Sequence, residues 1–324
     1  MPRLEELRVA AGTDTLVGTL TLPDAPAPAD RGGRYPNVLL LPSWLPRGRD
    51  GGYDRARHAT WFAPEPSARP GLLARLADAL AEHGVASLRC DPRGSGSSDG
   101  AWESTDLFTR IDDARDQLAS MRRQPNLDLR RAGIIGHGEG AAIALAVAIA
   151  DPAISALTLI GPASRSWRAT LRRGVASRAR HDAERRHPIV ASLDRWAEEL
   201  IEGAERREST FRLTMANGET IDLALAGVEQ AIHMPPMALA TMLDRSVSIV
   251  HGALDRWSDP EESALLQRAL PPGAATASRT VVSDAGHDLD EAGDEVIGRI
   301  AADLAARLLP RDLPPVLLAI EAMG

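Results

Sequence analysis

The sequence predicts an α/β protein with a mostly parallel central sheet, helices on both faces, and a cap inserted late in the chain. Three observations carry this. From residue 38 to residue 160, short apolar runs alternate with segments of helical spacing, the pattern of parallel strands joined by right-handed crossovers. The alternation stops over residues 163–243 and resumes at residue 247. A Gly-rich turn at residues 136–140 stands between an apolar strand and a helix rich in small apolar residues.

Element by element, residues 7–10 and 16–22 read as strands joined by a Gly-Thr-Asp turn. Residues 38–41 are a continuous apolar run, as in a strand buried on both faces. A long polar stretch follows, from Pro46 to Pro70. Leu72, Leu73, Leu76 and Leu80 then have helical spacing, and Gly84 ends that helix. Residues 85–90 read as a strand, 112–123 as a helix, 132–135 as a strand, 139–150 as a helix and 154–160 as a strand. Within the cap, residues 211–215 and 220–225 flank Asn217-Gly218, a strong hairpin signal. The core resumes with a strand at 247–251, a helix at 261–270, a strand at 280–282 and a closing helix at 291–309. The expected units are therefore a core of residues 1–162 and 244–310, a cap of 163–243 and a tail of 311–324.

Composition narrows the function. The chain has 324 residues, 44% of them apolar, enough for one large α/β domain with an insertion. A net charge of −8 argues against a nucleic-acid partner. All 37 basic residues other than histidine are arginine, a bias read as genomic rather than functional. The single cysteine, Cys90, permits no intrachain disulfide, which fits a cytoplasmic setting, and it reads as a buried small hydrophobe. The first fifteen residues lack the apolar core of a signal peptide, and the longest apolar run, 141–150, is too short to span a bilayer. Cys-x-x-Cys and His-x-x-x-His spacings are absent, so no metal is expected.

The informative segment is Ala-Gly-Ile-Ile-Gly-His-Gly-Glu-Gly at residues 132–140. A strand, sharp turn and helix carrying Gly-x-Ser-x-Gly is the nucleophile elbow of serine hydrolases. Gly136 and Gly140 stand at its two flanks; the middle position, where serine belongs, is Gly138. As a bare Gly-x-Gly-x-Gly, the segment also fits a phosphate-binding turn, but it does not follow the first strand and no acidic ribose partner lies after it.

In this segment and three others the chain resembles bacterial α/β-hydrolases of the esterase and aminopeptidase-like type, whose elbow reads Gly-His-Ser-Glu-Gly. Asp91-Pro-Arg-Gly-Ser-Gly-Ser-Ser98 is similar to the family's Asp-x-Arg-Gly-x-Gly-x-Ser turn. His251-Gly-Ala-Leu-Asp255 resembles its acid-bearing loop, and Asp284-Ala-Gly-His287 its histidine loop. The match covers residues 1–162 and 246–309. It implies the α/β-hydrolase fold, a His287–Asp255 pair, and an oxyanion hole from two backbone N–H groups. One N–H belongs to Glu139; the other comes from the Pro42-Ser43-Trp44 loop, with Trp44 the first choice. The Trp44 indole could equally line the pocket. Ser43 and His137 are further candidates for binding substrate, and Asp91 to Ser98 is expected to shape the floor.

Glycine cannot form an acyl-enzyme. The resemblance then implies a general base beside an anion-stabilising site, with room at Gly138 for a water or substrate hydroxyl. Three readings follow. One is a cofactor-independent enzyme using His287 for elimination, cyclisation or C–C bond formation on an oxygenated small molecule, in the manner of tailoring enzymes of secondary metabolism. A second is an ester, thioester or amide hydrolase whose serine was changed to Gly138. A third is a non-catalytic binder, against which the intact Asp255 and His287 argue. Trp167, Trp196, Phe211, Met234, Met237 and Met242 fall in the cap, where most should be core and two or three should reach the cleft. Residues 181–187 read as a solvated helix face. Residues 313–323 are left to dock on the domain or on a second subunit, so a homodimer is allowed for.

Overall fold

A computed structural model describes residues 1–27, 32–63, 71–180, 187–215, 217–272, 278–308 and 310. Two expectations, a helix face at 181–187 and a docked tail at 313–323, lie outside the described residues except for His187. The described strands are β1 (Arg3–Ala11), β2 (Asp14–Leu22), β3 (Tyr35–Leu41), β4 (Ala86–Cys90), β5 (Leu127–His137), β6 (Ile154–Ile160), β7 (Thr210–Thr214), β8 (Thr220–Ala224), β9 (Ser246–Gly252) and β10 (Ser278–Val282). The described helices are α1 (Leu72–Glu82), α2 (Leu107–Arg122), α3 (Glu139–Ala150), α4 (Trp167–Arg178), α5 (Pro188–Arg195), α6 (Ala197–Glu205), α7 (Ala226–His233), α8 (Pro236–Ala240), α9 (Pro260–Ala269) and α10 (Asp294–Arg307).

Eight strands form one sheet in the order β1-β2-β4-β3-β5-β6-β9-β10. The six from β4 to β10 run parallel to one another; β2 is antiparallel to both of its neighbours. This is the α/β-hydrolase fold, a mostly parallel sheet with helices on both faces.

Strand alternation explains the two faces. In β3, Leu39 and Leu41 join one buried cluster with residues of α2, α3 and α9, whereas Val38 and Leu40 join another with α1 and α10. Successive side chains of a strand point to opposite faces, so an all-apolar run is what a doubly covered strand requires.

Between β6 and β9, β7 and β8 pair only with each other, in the Asn-Gly hairpin that the sequence predicts. A third apolar cluster joins this region to the body. It unites Leu171, Leu193, Leu200, Leu213, Leu223 and Val228 with Leu45, Trp61, Phe62 and Trp102. The stretch from Pro46 to Pro70, polar in sequence, thus contributes two buried aromatics. Trp61 Nε1 donates to Glu219 in the hairpin turn at 2.9 Å. By contrast, Leu239, Ala240 and Leu243 pack with the sheet core.

Several boundaries differ from expectation for identifiable reasons. Helix α2 begins at Leu107 rather than residue 112 because Asp106 accepts from Thr109 N–H at 2.7 Å, an N-cap within a polar stretch. Strand β5 runs on to His137, so the chain reverses in a single residue. Among the described residues, no helix is long and apolar enough to cross a membrane.

Candidate active site

Strand β5 ends at His137 and α3 begins at Glu139, leaving Gly138 to make the whole reversal with φ 56° and ψ −117°. Side-chain-bearing residues avoid that region. The turn is pressed against the loop after β3: a Cβ on Gly140 would stand 2.7 Å from Pro42 O. Close backbone approach is what brings Ser43 and Trp44, at the C-terminal end of β3, beside the helix N-terminus.

The sheet order sets β9 and β10 side by side, and their C-terminal loops carry Asp255 and His287. His287 Nδ1 lies 2.7 Å from Asp255 Oδ2. Asp255 is buried, and its Oδ1 accepts from the N–H groups of Trp257 (2.7 Å) and Ser258 (2.9 Å). Burial opposes ionisation, but His287 and His251 outweigh it and hold the carboxyl well below the usual carboxylate range. Burial likewise opposes a charged imidazole at His287; the Asp255 carboxylate outweighs it and raises the His287 pKa.

His251, which the sequence gave no reason to single out, also packs against the acid. It is buried, with Nε2 2.8 Å from Ser258 O and 3.2 Å from Asp255 Oδ2. Its only sequence signal is its place four residues before the acid.

The other ring nitrogen, His287 Nε2, faces the elbow. A Cβ built on Gly138 would stand 3.0 Å from it. That space is not open, contrary to the expectation of room for a water or substrate hydroxyl. Ser43 Oγ fills it: the same Cβ would overlap Ser43 Oγ and lie 2.8 Å from Ser43 Cβ. Ser43 Oγ stands 3.3 Å from His287 Nε2.

A cavity of about 120 Å³ opens over this point, lined by Ser43, Gly138, Glu139 and His287. Its walls are mainly apolar, with the indoles of Trp44, Trp167 and Trp257, then Leu171, Met234 and Pro236. Charged side chains in its lining are paired: Arg178 with Asp194 at 2.6 Å, Arg165 with Glu261 at 3.1 Å and with Glu262, and Glu139 with Arg110 at 2.9 Å. A second cavity of about 50 Å³, lined in part by Arg93, Asp113 and Gln117, shares Ser43, Trp44 and Glu139 with the lining of the first. Of the candidate pocket aromatics and methionines, Trp167 and Met234 reach the cavity, while Met237 and Met242 are exposed.

The two candidate oxyanion donors flank the elbow. Among the described residues, neither the Trp44 nor the Glu139 backbone N–H has an acceptor, and both residues line the cavity. The Trp44 carbonyl is turned away and accepts from Trp102 Nε1 at 2.7 Å. The Trp44 ring lies 5.7 Å from that of Trp167, so backbone and indole both face the site.

His137, a candidate for binding substrate, lies elsewhere. It is fully buried, with Nε2 3.1 Å from the His287 carbonyl and 3.4 Å from Asp288 Oδ1. Burial pushes its pKa down to about 3, so it is neutral and donates to that carbonyl. Arg47, also buried, holds Asp288 at 3.0 Å and donates to Gly51 O at 2.7 Å. His137, His287 and Asp288 bring ligand-type atoms within 4.8 Å of one another. The Arg47 charge on Asp288, and the prior engagement of His287, make the group an anchor for the histidine loop rather than a cation site.

Comparison with known proteins agrees with the fold. The profile of the family described as "Serine aminopeptidase, S33" matches residues 69–290. No curated protein matches the sequence. Among solved structures, Est1E from Butyrivibrio proteoclasticus with ferulic acid bound is similar, with a TM-score of 0.63 and 16% identity over 93% of this chain and 99% of that one. The α/β-hydrolase GrgF from Penicillium sp. sh18 gives 0.61 and 17%, over 94% and 98%. Mouse α/β-hydrolase domain-containing protein 10 gives 0.61 and 16%, over 95% and 100%. At these identities the likeness is one of fold.

Proposed function

The chain belongs to the serine aminopeptidase, S33 family of α/β-hydrolases, and on that premise we propose that it hydrolyses an uncharged carboxylic ester or related acyl compound. The observation that carries this is the His287 Nδ1–Asp255 Oδ2 hydrogen bond of 2.7 Å, with the opposite ring nitrogen facing the elbow. His287 takes a proton from a hydroxyl at that point, whose oxygen attacks the acyl carbon. The Trp44 and Glu139 N–H groups receive the charge that develops on the carbonyl oxygen. The indole-walled cavity holds the apolar part of the substrate. Because the Arg and Glu side chains of its lining are already paired, an ionic substrate finds no free partner among them. The scheme asks for no cofactor and no partner beyond a small molecule.

A second reading, proton abstraction leading to elimination, cyclisation or C–C bond formation, uses the same His287 and is favoured by the missing side chain at Gly138. One experiment separates the two. The full chain is assayed on a p-nitrophenyl ester series of increasing acyl size, alongside His287→Ala. Turnover that depends on His287 and favours compact apolar acyl groups supports hydrolysis. Turnover unchanged by His287→Ala, or none across the series, removes it.

A further inference from the structure

We propose that the nucleophile of this enzyme is Ser43, carried on the loop after β3, and that Gly138 is the complementary half of an exchange between two loops. The proposal rests on the acyl-hydrolysis reading above and adds the atom that attacks.

Three observations converge on Ser43. Its Oγ is 3.3 Å from His287 Nε2, the nitrogen left over once Asp255 engages Nδ1. That length is ordinary for an unliganded site, where such hydrogen bonds tighten only with substrate bound. Among the described residues, no other side-chain hydroxyl bonds to His287. Second, the Oγ occupies the volume in which the side chain of an elbow residue would begin. A hydroxyl has been returned to the place of the missing one, from the opposite wall. Third, Ser43 lines both cavities, a position from which an acyl group held in one can be attacked.

The chemistry balances without any added reactant but water. Ser43 Oγ adds to the acyl carbon as its proton passes to His287 Nε2, and Asp255 stabilises the resulting imidazolium through Nδ1–H. The tetrahedral oxyanion sits between the Trp44 and Glu139 N–H groups. It collapses by breaking the bond to the alkoxide, which takes the proton from His287, leaving the acyl group on Ser43. Water then attacks that ester, giving its proton to His287; cleavage of the Oγ–acyl bond releases the acid and returns the proton to Ser43.

The geometry also explains why position 138 must be glycine here. With Ser43 in place, any Cβ at 138 would overlap its hydroxyl. Gly138→Ser alone therefore displaces the working hydroxyl rather than adding a second.

The test uses the full chain and a fluorophosphonate probe, which traps an activated serine. The chain contains no lysine, so trypsin cuts only at arginine, and the peptide of residues 35–47 holds Ser43 as its one serine. The expected result is a stoichiometric adduct on that peptide, lost in Ser43→Ala and strongly slowed in His287→Ala. Ester turnover should fall by about a thousandfold or more in Ser43→Ala. Gly138→Ser should not exceed the parent, and Ser43→Gly combined with Gly138→Ser should exceed Ser43→Gly alone by at least about tenfold. An adduct on any other residue, or none on Ser43, overturns the proposal. So does a Ser43→Ala variant that keeps most of its turnover while His287→Ala is inactive; water would then be the attacker and the hydrolytic reading would stand. Loss of that reading has a different signature, turnover indifferent to His287.

Discussion

Gly161 lies directly beneath the His287–Asp255 pair: a Cβ at this residue would stand 3.0 Å from His287 Nδ1 and 3.3 Å from Asp255 Oδ2. It follows the last residue of β6, and its N–H donates to Val250 O at 2.9 Å, so the backbone has little freedom to withdraw. Gly161→Ala should push the imidazole off its line to the elbow and lower kcat by up to about a hundredfold, since misplacement by an ångström costs about that much. Gly161 has φ 55°, so strain adds to the effect. Gly12→Ala is the control, because Gly12 has φ 61° and nothing near its Cβ position. Both variants should lose about 1 kcal/mol of stability from the backbone, measured by urea denaturation, while only Gly161→Ala loses activity.

The raised pKa of His287 fixes the direction of the pH response. A base must be neutral, so activity is lost as pH falls through a value above the ordinary imidazole pKa of about 6.5. The charged His287–Asp255 pair stabilises the fold in the opposite sense. That contribution is fully present below the unfolded histidine value and disappears as pH rises through the folded one. Activity should therefore climb in the interval where this part of the stability declines. In Asp255→Asn the counter-charge is gone and burial remains, so the acid limb of the kcat/KM profile should move to lower pH. The rate should fall by about ten-thousandfold. An unmoved limb would mean that another group is the base.

The anchor behind the histidine loop should be costly to break. Arg47→Met leaves the Asp288 carboxylate beside neutral His137 without its cation. Removing one partner of a buried pair typically destabilises by about 3–5 kcal/mol; with Asp288 partly reached by solvent, the lower end is expected in denaturant titration.

A second buried pair ties the segment between β6 and β9 to the acid loop. Arg178 donates to Asp194 at 2.6 Å and to Arg256 O at 3.1 Å, with its guanidinium 4.4 Å from the Trp257 ring centre. Arg178→Met should cost about 3 kcal/mol and free Trp257 on the cavity wall. KM for an apolar ester should then rise more than kcat falls, measured from full saturation curves.

Local regularities were legible in the sequence, and relationships between distant loops were not. The all-apolar run at residues 38–41 announced a doubly covered strand, and Asn217-Gly218 announced the β7–β8 hairpin, because each depends on neighbours in the chain. Asp255 and His287 were legible because their loops resemble a known pattern. Ser43 was legible only as a member of the oxyanion loop. Its approach to His287 spans 244 residues and depends on Gly140 letting that loop close on the elbow, which no local spacing encodes. His137 misled for a related reason: its place in the elbow suggested the pocket, but its side chain is buried against the His287 carbonyl and Asp288, outside the cavity lining. Trp61 and Phe62 were hidden in a polar stretch, since two aromatics have no periodicity to betray burial.

The mutual exclusion of a side chain at 138 and the hydroxyl at 43 has a historical consequence. On the proposed assignment the two positions are bound by sign epistasis: a serine at either supplies the hydroxyl, and crowding penalises serine at both. A lineage moving between the arrangements one substitution at a time passes either through a crowded double-serine ancestor or through one with neither hydroxyl. The second route keeps the His287–Asp255 base and the two backbone donors intact, so an ancestor on it retains a functional proton acceptor throughout. It follows that a survey sorting α/β-hydrolases by the residue at the elbow alone would place such chains among the extinct enzymes, when the residue to inspect lies at the end of a different strand.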